Sequence, residues 1–146
     1  MLRKSILVIS DQHAPYHHID TLDFLSAIKE KYKPDCVVNI GDEMDWHSIS
    51  FHDSHPGLYS PSHELVVAKR FFKDLESLFP KQYVMDSNHG SLVFRKATRH
   101  GMPHEIFKSY NHMLGVGKGW SWHEDLVIKA SNGQKIYFCH GKYKDV

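Results

Sequence analysis

The chain has 146 residues, 41% hydrophobic and 24% charged, enough for one buried core in a globular domain spanning residues 1–146. A net charge of +1 excludes bulk attraction to nucleic acid as an organising principle, although a local basic patch stays open. No apolar stretch is long enough to cross a bilayer or serve as a secretory signal, so we expect a cytoplasmic protein with no membrane partner.

The first predicted element is a strand over residues 5–10. Its apolar run has no polar face, which suits burial on both sides, and it stops on Asp11 and His13. A helix over residues 21–33 follows: Asp20 is placed to cap it, Leu22, Leu25, Ile28 and Tyr32 recur at helical spacing, and Pro34 ends it. The next strand, residues 36–42, completes a β-α-β unit, so the two strands should lie parallel and adjacent. It too ends on acidic residues, in Gly41-Asp42-Glu43-Met44-Asp45. Carboxylates brought together at adjacent strand ends repel unless a cation lies between them.

An aromatic, histidine-bearing loop leads to a helix over residues 61–79, with Ser60 as cap, Pro61 at its first position and a stripe of Leu65, Ala68, Phe72, Leu75 and Phe79. A third strand over residues 82–86 runs into Ser87-Asn88-His89-Gly90. Residues 91–112 read as one or two helices broken near Gly101 and Pro103, carrying Arg95, Lys96, Arg99 and His100. The glycines of 115–119 lack the spacing of a phosphate-cradling loop and suit a connector. Strands at 126–130 and 135–139 form a hairpin around Asn132-Gly133 and deliver His140-Gly141. Cys36 and Cys139 both fall in predicted strands and are expected to be reduced core residues. The compositional anomaly is 13 histidines, and neutral imidazole is the commonest transition-metal ligand.

Four strand ends thus carry Asp11-x-His13, Gly41-Asp42-x-x-Asp45, Asn88-His89 and His140-Gly141. In order and approximate spacing this series resembles the calcineurin-like metallophosphoesterases, whose motifs run D-x-H, G-D-x-x-D, G-N-H-D/E, a later His-Gly and finally G-H-x-H. The resemblance implies an α/β fold, a layered sandwich of mixed β-sheets flanked by helices. It also implies two divalent metal ions, Mn in the first place with Fe or Zn as alternatives. Asp42 would bridge them, with Asp11 and His13 on the first ion and Asn88 and His140 on the second. Such a pair of ions activates hydroxide for in-line attack on phosphorus.

By the same likeness, His89 contacts the phosphate or protonates the departing oxygen, and Asp45 holds its ring. A capping role for Asp45 ahead of Trp46 is also open. Arg95 and Arg99 would hold a second phosphate or an oligonucleotide backbone. Two departures stand out. Ser87 and Gly90 replace the glycine and the acidic residue of the third motif, and G-H-x-H does not occur after His140. The chain is therefore expected to be C-terminally truncated, with each metal site one protein ligand short. Two functions fit: hydrolysis of a phosphate mono- or diester, possible substrates including nucleotides and nucleic acid, or a non-catalytic binding or scaffold module of the same fold.

Overall fold

A computed structural model describes residues 5–53 and 55–141. Strands β1 (Ile6–Ile9), β2 (Cys36–Asn39), β3 (Gln82–Met85) and β4 (Trp120–His123) form one parallel sheet in that order. Strands β5 (Leu126–Lys129) and β6 (Lys135–Phe138) form a separate antiparallel hairpin around the expected Asn-Gly turn. Helices α1 (Thr21–Tyr32), α2 (Pro61–Leu78), α3 (Leu92–Arg99) and α4 (Tyr110–Leu114) complete the layers. Among the described residues no helix is long and apolar enough to cross a membrane.

Alternation along the strands divides the core in two. Ile9, Val37, Val84 and Trp120 point to the helix layer, where they meet Leu25 of α1, Ala68, Phe72 and Leu75 of α2, and Leu114 of α4. Cys36, Val38 and Met85 point the other way and are covered by Ile128 and Phe138 of the hairpin. The α/β layered architecture expected from sequence is present, with parallel and antiparallel pairing in two distinct sheets rather than mixed within one.

Two local expectations need correction, and one strand was not expected. The strand β1 lies at the sheet edge, and the hairpin leaves its Val8 47% exposed, so it is not buried on both sides. Asp20 precedes α1 but its side chain makes no capping bond; Thr21 Oγ1 instead donates to the His18 carbonyl. Strand β4 is absent from the sequence reading. Its Trp-Ser-Trp-His run alternates as a strand should, and the glycines before it hide the signal. The other ends behave as the sequence suggests: Ser60 Oγ accepts from the His63 N–H, and Pro61 starts α2. Cys36 is buried, whereas Cys139 is half-buried just beyond β6; neither is in a disulfide among the described residues.

His17 stacks on Phe71 of α2 with ring centroids 3.9 Å apart, and its buried Nδ1 has no hydrogen-bond partner among the described residues. Burial lowers its pKa from the ordinary 6.5, because the apolar contact disfavours the charged ring. The unfolded chain therefore takes up this proton at higher pH than the folded one, and the stability that neutral His17 provides is lost as pH falls through 6.5. We expect His17→Phe to become progressively more stable than the wild type as pH is lowered across that value. Urea midpoints measured on both proteins at matched pH check this, and a pH-independent difference contradicts it.

Candidate metal centre

The site is built where β1, β2 and β3 leave the sheet. Beyond Ile9 and Asn39 the two chains stay zipped together: Asp11 N–H donates to Gly41 O at 3.0 Å, His13 to Asp42 O at 2.9 Å and Ala14 to Glu43 O at 2.9 Å. Asp45 N–H returns a bond to Ala14 O at 3.0 Å. Beneath this ladder, fully buried Asn39 donates through Nδ2 to Gln12 Oε1 at 2.7 Å and accepts from Gly41 N–H at 3.1 Å. The ladder holds Asp11 (φ 53°), His13 (φ 47°), Asp42 (φ 52°) and Trp46 (φ 54°) in the left-handed region. Backbone strain of that kind persists where surrounding bonds over-determine the chain.

The side chains converge accordingly. His13 Nδ1 donates to Asp45 Oδ1 at 2.7 Å, which turns its Nε2 toward Asp11 Oδ1 at 3.8 Å and Asp42 Oδ2 at 3.9 Å. On the other side of Asp42, His140 Nδ1 donates to the Ile40 carbonyl at 2.7 Å. That bond leaves the His140 Nε2 lone pair facing Asp42 Oδ2 at 3.3 Å and Asn88 Oδ1 at 2.7 Å. One carboxylate oxygen thus lies between two imidazole nitrogens whose ring partners are already committed.

Two groups of ligand atoms, Asp11-His13-Asp42 and His13-Asp45-His89, each fall within 4.8 Å of one another. The donor set fits divalent cations. Asp11 Oδ1, Asp42 Oδ2, Asn88 Oδ1 and the Nε2 lone pairs of His13 and His140 face one another as acceptors, an arrangement that positive charge between them would satisfy.

His89 sits above this group. Its ring stands edge-on to His13 with centroids 4.7 Å apart, and its Nδ1 donates to the Asp45 carbonyl, with Asp45 Oδ1 at 3.7 Å. Asp45 therefore acts on both rings, through its carboxylate on His13 and through its carbonyl on His89. The His89 N–H donates to Asp42 Oδ1 at 3.1 Å, which ties the third loop to the shared carboxylate.

Several residues essential to this geometry were given no role from sequence. Ser87 Oγ accepts from Asp42 N–H at 2.9 Å and from Gly90 N–H at 3.0 Å, so the serine that replaces a glycine links two loops. The acid missing at position 90 has a counterpart in Glu43: a Cβ on Gly90 would lie 3.1 Å from Glu43 Oε1. Glu43 is buried, receives Trp122 Nε1–H at 3.1 Å, and burial pushes its pKa up to about 7. Buried Glu64 of α2 accepts from Ser48 Oγ at 2.6 Å and from His47 N–H at 3.2 Å, fixing the turn after Trp46. The usable signal was a polar residue at each otherwise apolar or conformationally special position, notably Asn39 inside the β2 run.

Arg95 and Arg99 lie on exposed positions of α3, and Arg95 Nη2 donates to the Asn88 carbonyl. Arg95 borders the site, lining a cavity with Asn88 and His89, whereas Arg99 does not line that cavity. His47 lies in the loop held by Glu64, and His123 Nε2 meets Ser121 Oγ at 2.8 Å on β4. Neither belongs to either group of candidate ligand residues.

A family model described as calcineurin-like phosphoesterase matches residues 4–146. No curated protein matches the chain.

Gly41 (φ 103°) makes a steric test of this construction. A Cβ there would stand 2.5 Å from Ser87 Cβ and 2.8 Å from His140 Nδ1. Gly41→Ala should cost about 2–4 kcal/mol of stability and weaken metal binding, because both neighbours are anchored. Urea unfolding and calorimetric manganese titration measure the two effects; a variant as stable as the wild type would show that the loops yield freely.

Proposed function

The chain belongs to the calcineurin-like phosphoesterases, and on that premise we propose that it hydrolyses a phosphate mono- or diester at the centre formed by Asp11, His13, Asp42, Asn88 and His140. The observation that carries this reading is the position of Asp42 Oδ2, 3.9 Å from His13 Nε2 and 3.3 Å from His140 Nε2. Asp11 and His13 would hold one divalent cation, Asn88 and His140 a second, with Asp42 shared. The mixture of oxygen and imidazole donors suits Mn, with Fe or Zn as alternatives. Cations bound there supply Lewis acidity, neutralising phosphoryl charge and lowering the pKa of water.

The chain's own groups do the rest. The Asp45 carboxylate fixes the His13 tautomer so that Nε2 presents a lone pair. The Asp45 carbonyl holds His89 Nδ1–H, so that the doubly protonated ring would present Nε2–H to the phosphate, hand that proton to the departing oxygen and return to the neutral Nδ1–H form. Arg95 and Arg99 would contact the part of the substrate that does not react. A cytoplasmic setting is consistent with two cysteines that form no disulfide among the described residues.

Manganese-dependent turnover of chromogenic phosphate mono- and diesters tests the proposal. His89→Ala should lower kcat by about 100-fold or more while manganese affinity stays near that of the wild type. Manganese binding with no turnover that depends on His89 would instead identify a binding module built on this fold.

A further inference from the structure

One aromatic side chain near the site, Phe51, is not used by the chemistry above. Phe51, in the loop after the His47–Ile49 turn, is 41% exposed and collects three cations of α3 around its ring. The Arg99 guanidinium lies 4.0 Å from the ring centroid, Lys96 Nζ 4.8 Å and the Arg95 guanidinium 5.5 Å. None of these three side chains has a carboxylate partner among the described residues. Three like charges gathered this closely repel one another, and the negative face of one ring offsets that repulsion only in part. The remaining positive charge calls for an anion.

The cluster is also attached to the candidate metal centre. Arg95 donates to the carbonyl of Asn88, whose side-chain oxygen meets His140. Phe51, His89, Asn88 and Arg95 line one cavity of about 200 Å³. An ester placed against His89 would therefore project its non-reacting part toward Phe51 and the three cations.

We infer that Phe51 is a positioning residue that gathers Arg95, Lys96 and Arg99 into a second phosphate subsite, so that the preferred substrate carries at least one phosphate besides the one attacked. This rests on the phosphoesterase reading for the word substrate, but the subsite itself binds phosphate whether or not turnover occurs. Its chemistry admits two sources, the backbone of a single-stranded polynucleotide or a free polyphosphate chain.

Binding is measured in EDTA, where hydrolysis plays no part, by anisotropy of a labelled oligothymidylate and by competition with inorganic tripolyphosphate. Three forms of the full chain are compared: wild type, Phe51→Leu, which keeps apolar bulk and removes the ring, and Phe51→Trp, which restores it. Phe51→Leu should weaken binding roughly tenfold and flatten its salt dependence, with Phe51→Trp within about twofold of the wild type. Competition by tripolyphosphate at similar concentration identifies a polyphosphate subsite; preference for the oligonucleotide identifies the backbone as the source, and either supports the subsite. In manganese, the same Leu variant should raise KM for the multiply charged ester more than it lowers kcat. No binding by the wild type, or equal binding by the Leu and wild-type proteins with matched thermal unfolding, overturns the inference. Loss of turnover in His89→Ala with the subsite intact would separate its fate from that of the hydrolase reading.

Discussion

The site depends on one constraint: the hydrogen-bonded ladder between the chain after β1 and the chain after β2. Strands that end their pairing at the sheet edge would let Asp11 and Asp42 drift apart under mutual repulsion. Here the backbone bonds from Asp11, His13 and Ala14 to Gly41, Asp42 and Glu43 continue the parallel pairing past the strands. An isolated bridge between Ala14 and Met44 marks its end. Left-handed backbone at Asp11, His13 and Asp42 is the conformational cost of that continuation. In return, the carboxylates and imidazoles are held before any ligand arrives, so little ordering entropy is left for ligand binding.

Departures from the family motif have local counterparts. Serine at 87 adds a hydroxyl that accepts two backbone N–H groups, one of them from Asp42. The bare glycine at 90 leaves room for the buried Glu43 carboxylate, which approaches from the opposite loop. Neither change empties the site of polar contacts; each moves them to another residue. Substitutions in a motif are therefore best judged with the residues that face them, because a buried polar group must find a partner from some direction.

Electrostatics is arranged in two layers. Carboxylates and amide oxygen face inward around Asp42, while the cations of α3 are drawn outward around Phe51. On the proposed reading, negative protein charge would meet the divalent cations and positive charge the remainder of an anionic ester. A near-neutral chain with a net charge of +1 can thus present a strongly polarised rim.

Much of this was legible from the order of residues alone. The β-α-β unit, the capped and proline-started α2, and the Asn-Gly hairpin each rest on periodicity or turn chemistry within a single segment, and all appear in the structure. So do the polar strand ends, because an apolar run that stops on Asp11 or Asp42 is a local feature. What the tertiary structure alone decided is how segments meet. Strand β1 became an edge, β4 joined β3, and the hairpin crossed to the opposite face to set His140 beside Asn88. Ser87, Glu43 and Phe51 likewise acquire their roles from partners dozens of positions away. The physical reason is that periodicity records whether a residue is buried, whereas register and layer are set by which distant surface buries it.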